Sequence, residues 1–128
     1  MSSGGLYRDK VLEHCREPKN YGVIEGADAI SKGENKSCGD EVTIYLKVSG
    51  DRLTAVQFTS RSCAICRASA SMLTELAKGK KVSEAEALDR TDVLNLFGGT
   101  IDPVRESCAL LPLGAFKSAL SELVKHHM

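Results

Sequence analysis

The residues in this chain best equipped for chemistry are its five cysteines, at positions 15, 38, 63, 66 and 108, and one aspartate, Asp40. Cys38 and Asp40 are separated only by Gly39. In extended chain, residues two apart project from the same face, so a sulfur and an oxygen can converge on one point. Gly39 lets the backbone bend closely around an ion or adopt a positive φ. Cys108 falls near the start of an expected final helix, whose positive end favours the thiolate form that binds metal. Together Cys38, Asp40, Cys63 and Cys108 offer three sulfurs and one carboxylate oxygen. That donor set suits tetrahedral zinc or a thiolate-bound iron–sulfur unit. The Cys63-Ala64-Ile65-Cys66 spacing is a weak signal by itself. Cys66 reads as a small buried hydrophobe inside a helix start, and Cys15 as a core residue of the first helix.

These residues are far apart in sequence, so the fold must gather them. Val42, Ile44, Leu46 and Val48 alternate with more polar neighbours, the period of a half-buried strand. Ser49 to Arg52 is turn chemistry, and Leu53 to Thr59 returns as a second strand. A turn of two residues at Gly50-Asp51 would set Cys63 opposite Cys38. A turn of three, Gly50 to Arg52, pairs Ile44 with Phe58 and Leu46 with Val56, and sets Cys63 opposite Gly39. The second register is preferred because it gathers apolar residues on one face.

Around this hairpin, Leu6–Glu17 reads as a helix ended by Pro18 and Gly22. Val23–Ile30 reads as a short edge strand, and Lys32–Asp40 as a polar loop. Ile65, Ala68, Met72, Leu73 and Leu76 have helical spacing up to Ala77, and Gly79 stops that helix. Ser83 to Glu86 suggests a capping box, Thr91 a cap for a helix over Asp92–Phe97, and the last helix should cover Val104–Lys125. The expected class is α+β: a small antiparallel sheet of about three strands packed against helices.

The 128 residues are expected to form one domain, 1–128. Lys+Arg and Asp+Glu both number 17, so the basic surplus of a nucleic-acid binder is missing. The first residues have no apolar run of the secretory kind, and Ala109–Phe116 is too short to span a bilayer and contains Pro112. A cytoplasmic setting without a membrane partner is expected. An odd number of cysteines in a reducing compartment points to metal binding or reactivity before structural disulfides.

Several blocks resemble one family. Leu6-Tyr7-Arg8, Glu17 to Gly22, Gly33 to Asp40, Cys63-Ala64-Ile65, Ala68 to Met72, Lys78-Gly79-Lys80 and the late Cys108 all look like the U-type iron–sulfur scaffold proteins, IscU, SufU and the N-terminal part of NifU. The N-terminal half looks most like SufU. The resemblance implies a SufE/IscU-like α+β fold and a scaffold rather than an enzyme. It also implies a nascent cluster ([2Fe-2S]), or zinc, held on Cys38, Asp40, Cys63 and Cys108. Sulfur would come from a cysteine desulfurase, with Cys108 and Cys38 as acceptors, and clusters would pass to acceptor proteins. The alternative reading is a zinc-dependent sulfurtransferase partner of the desulfurase.

The chain departs from the family in places. Ser107 stands where IscU proteins have histidine and SufU-like members a basic residue. The insertion that SufU members carry between their second and third cysteines is missing. Ile101-Asp102-Pro103-Val104-Arg105 replaces Leu-Pro-Pro-Val-Lys, which weighs against an Hsp70-type chaperone as partner.

Overall fold

The computed structural model describes residues 3–37, 39–99 and 101–127, and Cys38 lies outside these described residues. Its elements run α1 (Ser3–Arg16), β1 (Ala29–Asn35), β2 (Asp40–Ser49), β3 (Arg52–Arg61), α2 (Ala64–Ala77), α3 (Val82–Glu86), α4 (Arg90–Leu96) and α5 (Pro103–His127). The strands form one antiparallel sheet in the order β1-β2-β3. This is the α+β arrangement expected from the sequence.

The hairpin obeys its alternation. Val42, Ile44 and Leu46 on β2, with Leu53, Val56 and Phe58 on β3, are all buried on the face covered by helices. Burying side chains of this size stabilises the fold by about 1.5–3 kcal/mol each. Ile44 pairs with Phe58 and Leu46 with Val56, the preferred register. The turn itself differs from the expectation. Ser49 pairs with Arg52 across a two-residue turn at Gly50-Asp51, and the register then shifts between Lys47 and Val48. Lys47 faces Ala55 while Val48 faces Leu53, so Thr54 is the extra residue of a β-bulge. Its hydroxyl donates to the Lys47 carbonyl at 3.3 Å. A tight turn and a bulge together give the register that a longer turn would have given.

The first strand is also a correction. It is not Val23–Ile30 but Ala29–Asn35, so Lys32–Asn35 belongs to the sheet and not to a loop. No apolar alternation marks this strand: its inner positions are Ala29, Ser31, Gly33 and Asn35. It forms because β2 pairs along its length and α5 covers it. A Cβ on Gly33 would lie 3.2 Å from Ala115 Cβ and 3.3 Å from Leu111 Cδ1, so glycine permits the close strand–helix approach.

Helix caps also differ in detail. Asp89, not Thr91, caps α4, in a reciprocal pair with Asp92. The backbone N–H of Lys81 donates to Glu84, so α3 begins at Val82, before Ser83. The long α5 runs through Pro112, which is buried. Packing there outweighs a penalty of about 3 kcal/mol for an interior proline. Pro103–Lys125 is long and apolar enough to cross a bilayer, yet Ala109, Phe116, Ala119, Leu120 and Leu123 are buried in the core of this fold.

Candidate metal centre

Three of the expected ligands meet at one end of the sheet. Ligand atoms of Asp40, Cys63 and Cys108 all lie within 4.8 Å of one another. They come from three different elements, each placed there for a local reason.

Asp40 is the first residue of β2 and shares the inner face with Val42, Ile44 and Leu46. It is therefore turned inward and only 3 % exposed. Gly39 before it has φ +72°, a left-handed conformation that glycine adopts without a Cβ penalty. Cys63 lies just beyond β3. Continued two residues past the last pair, Glu41 with Arg61, the ladder faces Gly39 with Cys63. Cys63 is also the N-cap of α2, in extended conformation, and its side chain makes no capping hydrogen bond. Its thiol is exposed at the positive end of that helix. Cys108 sits on α5, one turn inside the start, and is 6 % exposed. Four residues on, Pro112 has no N–H to offer the Cys108 carbonyl.

The site is polar in an uneven way. Asp40 Oδ1 accepts a hydrogen bond from the Cys63 N–H at 2.9 Å, which ties the strand end to the helix start. Asp40 Oδ2 is buried and has no hydrogen-bond partner among the described residues. A buried carboxylate oxygen left without a donor is costly unless a cation or another donor completes it. Two sulfurs and that oxygen fit a thiolate-preferring ion or cluster.

Other sequence expectations fall into place around this centre. Cys66 is fully buried in the core, as a small hydrophobe. Cys15 is not a core residue: it is half-buried, and its thiol donates to the Ala64 carbonyl at 3.0 Å. Ser107 lies close to the end of β1, with the Asn35 amide 3.5 Å from its hydroxyl. Glu106, before it, pairs with Arg90 of α4. His14 is part-buried, with Nδ1 2.6 Å from Ser71 Oγ. Burial, followed by the charge of Lys10, holds its pKa below the usual 6.5. Ser69 and Ser71 are buried and bond across elements: Ser69 donates to the Ala109 carbonyl and Ser71 accepts from the Lys19 N–H.

An antiparallel sheet backed by helices, with thiols and a carboxylate gathered at its end, defines a small metal- or cluster-holding scaffold. The chain belongs to the family of NifU-like N-terminal domains, whose model matches residues 6–128. It is 38% identical over 115 residues to the iron–sulfur cluster assembly scaffold protein IscU 1 of Archaeoglobus fulgidus, covering 90% of this chain and 74% of that protein. It is 28% identical over 134 residues to the zinc-dependent sulfurtransferase SufU of Bacillus subtilis, covering 91% and 90%. A crystal structure described as a putative SUF-system scaffold from Fervidobacterium islandicum superposes with a TM-score of 0.75 at 31% identity, covering 93% of this chain and 99% of that one. The higher identity to IscU qualifies the SufU likeness seen in the N-terminal half.

Proposed function

We propose that this chain is an iron–sulfur cluster assembly scaffold. A nascent cluster, of the [2Fe-2S] type, or a zinc ion in its place, is held by Cys38, Asp40, Cys63 and Cys108. The observation that carries this reading is the convergence of Asp40, Cys63 and Cys108 within 4.8 Å around an uncompleted carboxylate oxygen. The family and its IscU relatives support it. Cys38 is assigned by sequence, since only Gly39 separates it from Asp40. Sulfur arrives from a cysteine desulfurase onto Cys108 or Cys38, and the finished cluster passes to acceptor proteins in the cytoplasm.

The ligands divide the work. Thiolates give the cluster its affinity, while Asp40 supplies a harder and weaker donor that eases release. Exposed Cys63 keeps one side of the site accessible to donors and acceptors, whereas Asp40 and Cys108 are shielded. Metal and acid-labile sulfide content of anaerobically purified protein tests the reading. Iron and sulfide in near-equal amounts are expected after reconstitution, and Asp40→Ala should give a longer-lived cluster by visible absorbance. Failure to retain either iron or zinc would overturn it.

A second reading is favoured by the donor set itself, because two thiolates and a carboxylate suit zinc equally well. In that reading the zinc form relieves a desulfurase of its persulfide, as the name of the Bacillus relative suggests. Stimulation of desulfurase turnover by the zinc form, without cluster assembly, would favour it.

A further inference from the structure

The last rung of the β1–β2 ladder pairs Asn35 with Asp40. Directly opposed residues put their side chains on one face, with Cβ atoms about 4.5–5.5 Å apart. Asn35 is therefore the sheet neighbour of the carboxylate whose second oxygen has no donor among the described residues. Its own amide is used at both ends. Oδ1 accepts from the backbone N–H of Ser37 at 3.2 Å, an Asx turn that closes two residues on. Nδ2 donates to Ser107 Oγ at 3.5 Å, across 72 residues of sequence. Chemistry fixes this orientation of the amide. The Ser37 N–H can only donate, so the oxygen must face it, and the nitrogen is left for the hydroxyl of Ser107.

We propose that Asn35 is a positioning residue of the metal centre, which sets Cys38 and Cys108 around Asp40 without being a ligand itself. The inference rests on the four-ligand reading proposed above and adds to it a residue outside the ligand set. Each partner of Asn35 is a ligand or adjoins one. Asp40 faces it in the ladder, Ser37 precedes Cys38, and Ser107 precedes Cys108.

Ser37 and Asp40 flank Cys38-Gly39 in the sequence, so Asn35 holds the chain on both sides of that cysteine. A ligand whose neighbours are already held loses less conformational freedom when it captures an ion. The contact with Ser107 ties the same point to the early part of α5, which delivers Cys108. Groups that orient ligands from outside typically lower metal affinity by about 10–100-fold when removed. Asn35 is half-buried at the end of an edge strand and stands outside the hydrophobic core. Its loss should therefore be felt at the centre before it is felt in the sheet.

The test is a cobalt(II) titration of the metal-free chain, read in the sulfur-to-metal charge-transfer band, whose intensity follows the number of thiolate ligands. Cys38→Ser supplies the reference for a centre that has lost that sulfur. Asn35→Ala should shift the wild-type band toward this reference and lower zinc affinity by about 10-fold or more in chelator competition, with the metal-free urea midpoint unchanged. Asn35→Asp keeps an oxygen for the Ser37 N–H, with the Ser107 hydroxyl now donating, and should restore the wild-type band. A wild-type band and affinity in Asn35→Ala would overturn the inference and leave the scaffold reading standing. An Asn35→Asp band like that of Asn35→Ala, or a lowered metal-free midpoint in Asn35→Ala, would overturn it as well. No band from the wild-type chain, or a Cys38→Ser band equal to wild type, would overturn the four-ligand reading itself, and this inference with it.

Discussion

Asp40 and Ser71 are both buried polar side chains, and the fold treats them differently. Ser71 Oγ accepts from the Lys19 N–H at 2.7 Å and meets His14 Nδ1 at 2.6 Å. Three residues along α2, Thr74 donates to the carbonyls of Ala70 and Ser71 and accepts from Asn20 Nδ2. Asn20 itself holds a positive φ of 60° and also donates to Glu75, so this corner is bonded throughout by the chain's own groups. Asp40 receives one bond, from Cys63 N–H, while its other oxygen stays without a donor among the described residues. The polar groups behind α2 hold α1 and the chain after it in place. The polar group at the head of β2 is left incomplete among the described residues. A completed network is a structural joint, and an incomplete one is a binding site.

The contrast can be broken most sharply at the incomplete end. Cys108→Ser should weaken zinc binding by more than about 100-fold, beyond the usual cost of losing an outer-shell partner, with little change in the sheet. Zinc titration with a competing chelator reads this directly, and wild-type affinity would remove Cys108 from the centre. The next effect concerns stability of the metal-free chain. Ser71→Ala strands the Lys19 N–H and His14 and should cost about 1–3 kcal/mol in urea unfolding, with zinc affinity unaltered. Asp40→Ala should leave the metal-free midpoint unchanged or higher, since it removes a buried carboxylate that the fold only half satisfies. Equal losses for the two variants would erase the distinction drawn here.

The smallest effect is pH dependence at the joint. His14 titrates below its ordinary 6.5 in the folded chain. The unfolded chain therefore binds more protons between those two values, and stability falls as pH drops from about 6.5 through the folded value. Lys10 and Lys19 act in the same sense as burial, whereas Glu13 and Glu75 oppose it. Urea midpoints of wild type and His14→Gln, compared between about pH 8 and pH 5.5, should converge toward the acid end. A constant gap would mean that His14 does not titrate differently on folding.

The hairpin and the meeting of Asp40, Cys63 and Cys108 were legible in the sequence because they depend on strong local signals. Alternation at Val42 to Val48 fixes which face is buried, and the parity of Asp40 follows from it. Cys66 was legible as a buried residue for the same reason, its place on an apolar helix. Strand β1 was not, because its inner positions are small or polar and it owes its existence to β2 and α5. Cys15 was misjudged, and the setting of His14 carries no local signal, because their partners, Ala64 and Ser71, are 49 and 57 residues away. Sequence periodicity reports a residue's own element, while these two side chains are defined by a neighbouring one.

Thr54 lies at the opposite end of the hairpin from the cysteines, yet it sets the phase of everything β3 delivers. If Thr54 took a place in the ladder instead of standing out of it, the tight turn would carry Val56 and Phe58 to the outer surface and bring Cys63 level with a different neighbour. A bulge of this kind therefore lets the remote tip of the ribbon gain or lose a residue while the far end keeps its register, so the tip can vary without moving Asp40 or Cys63.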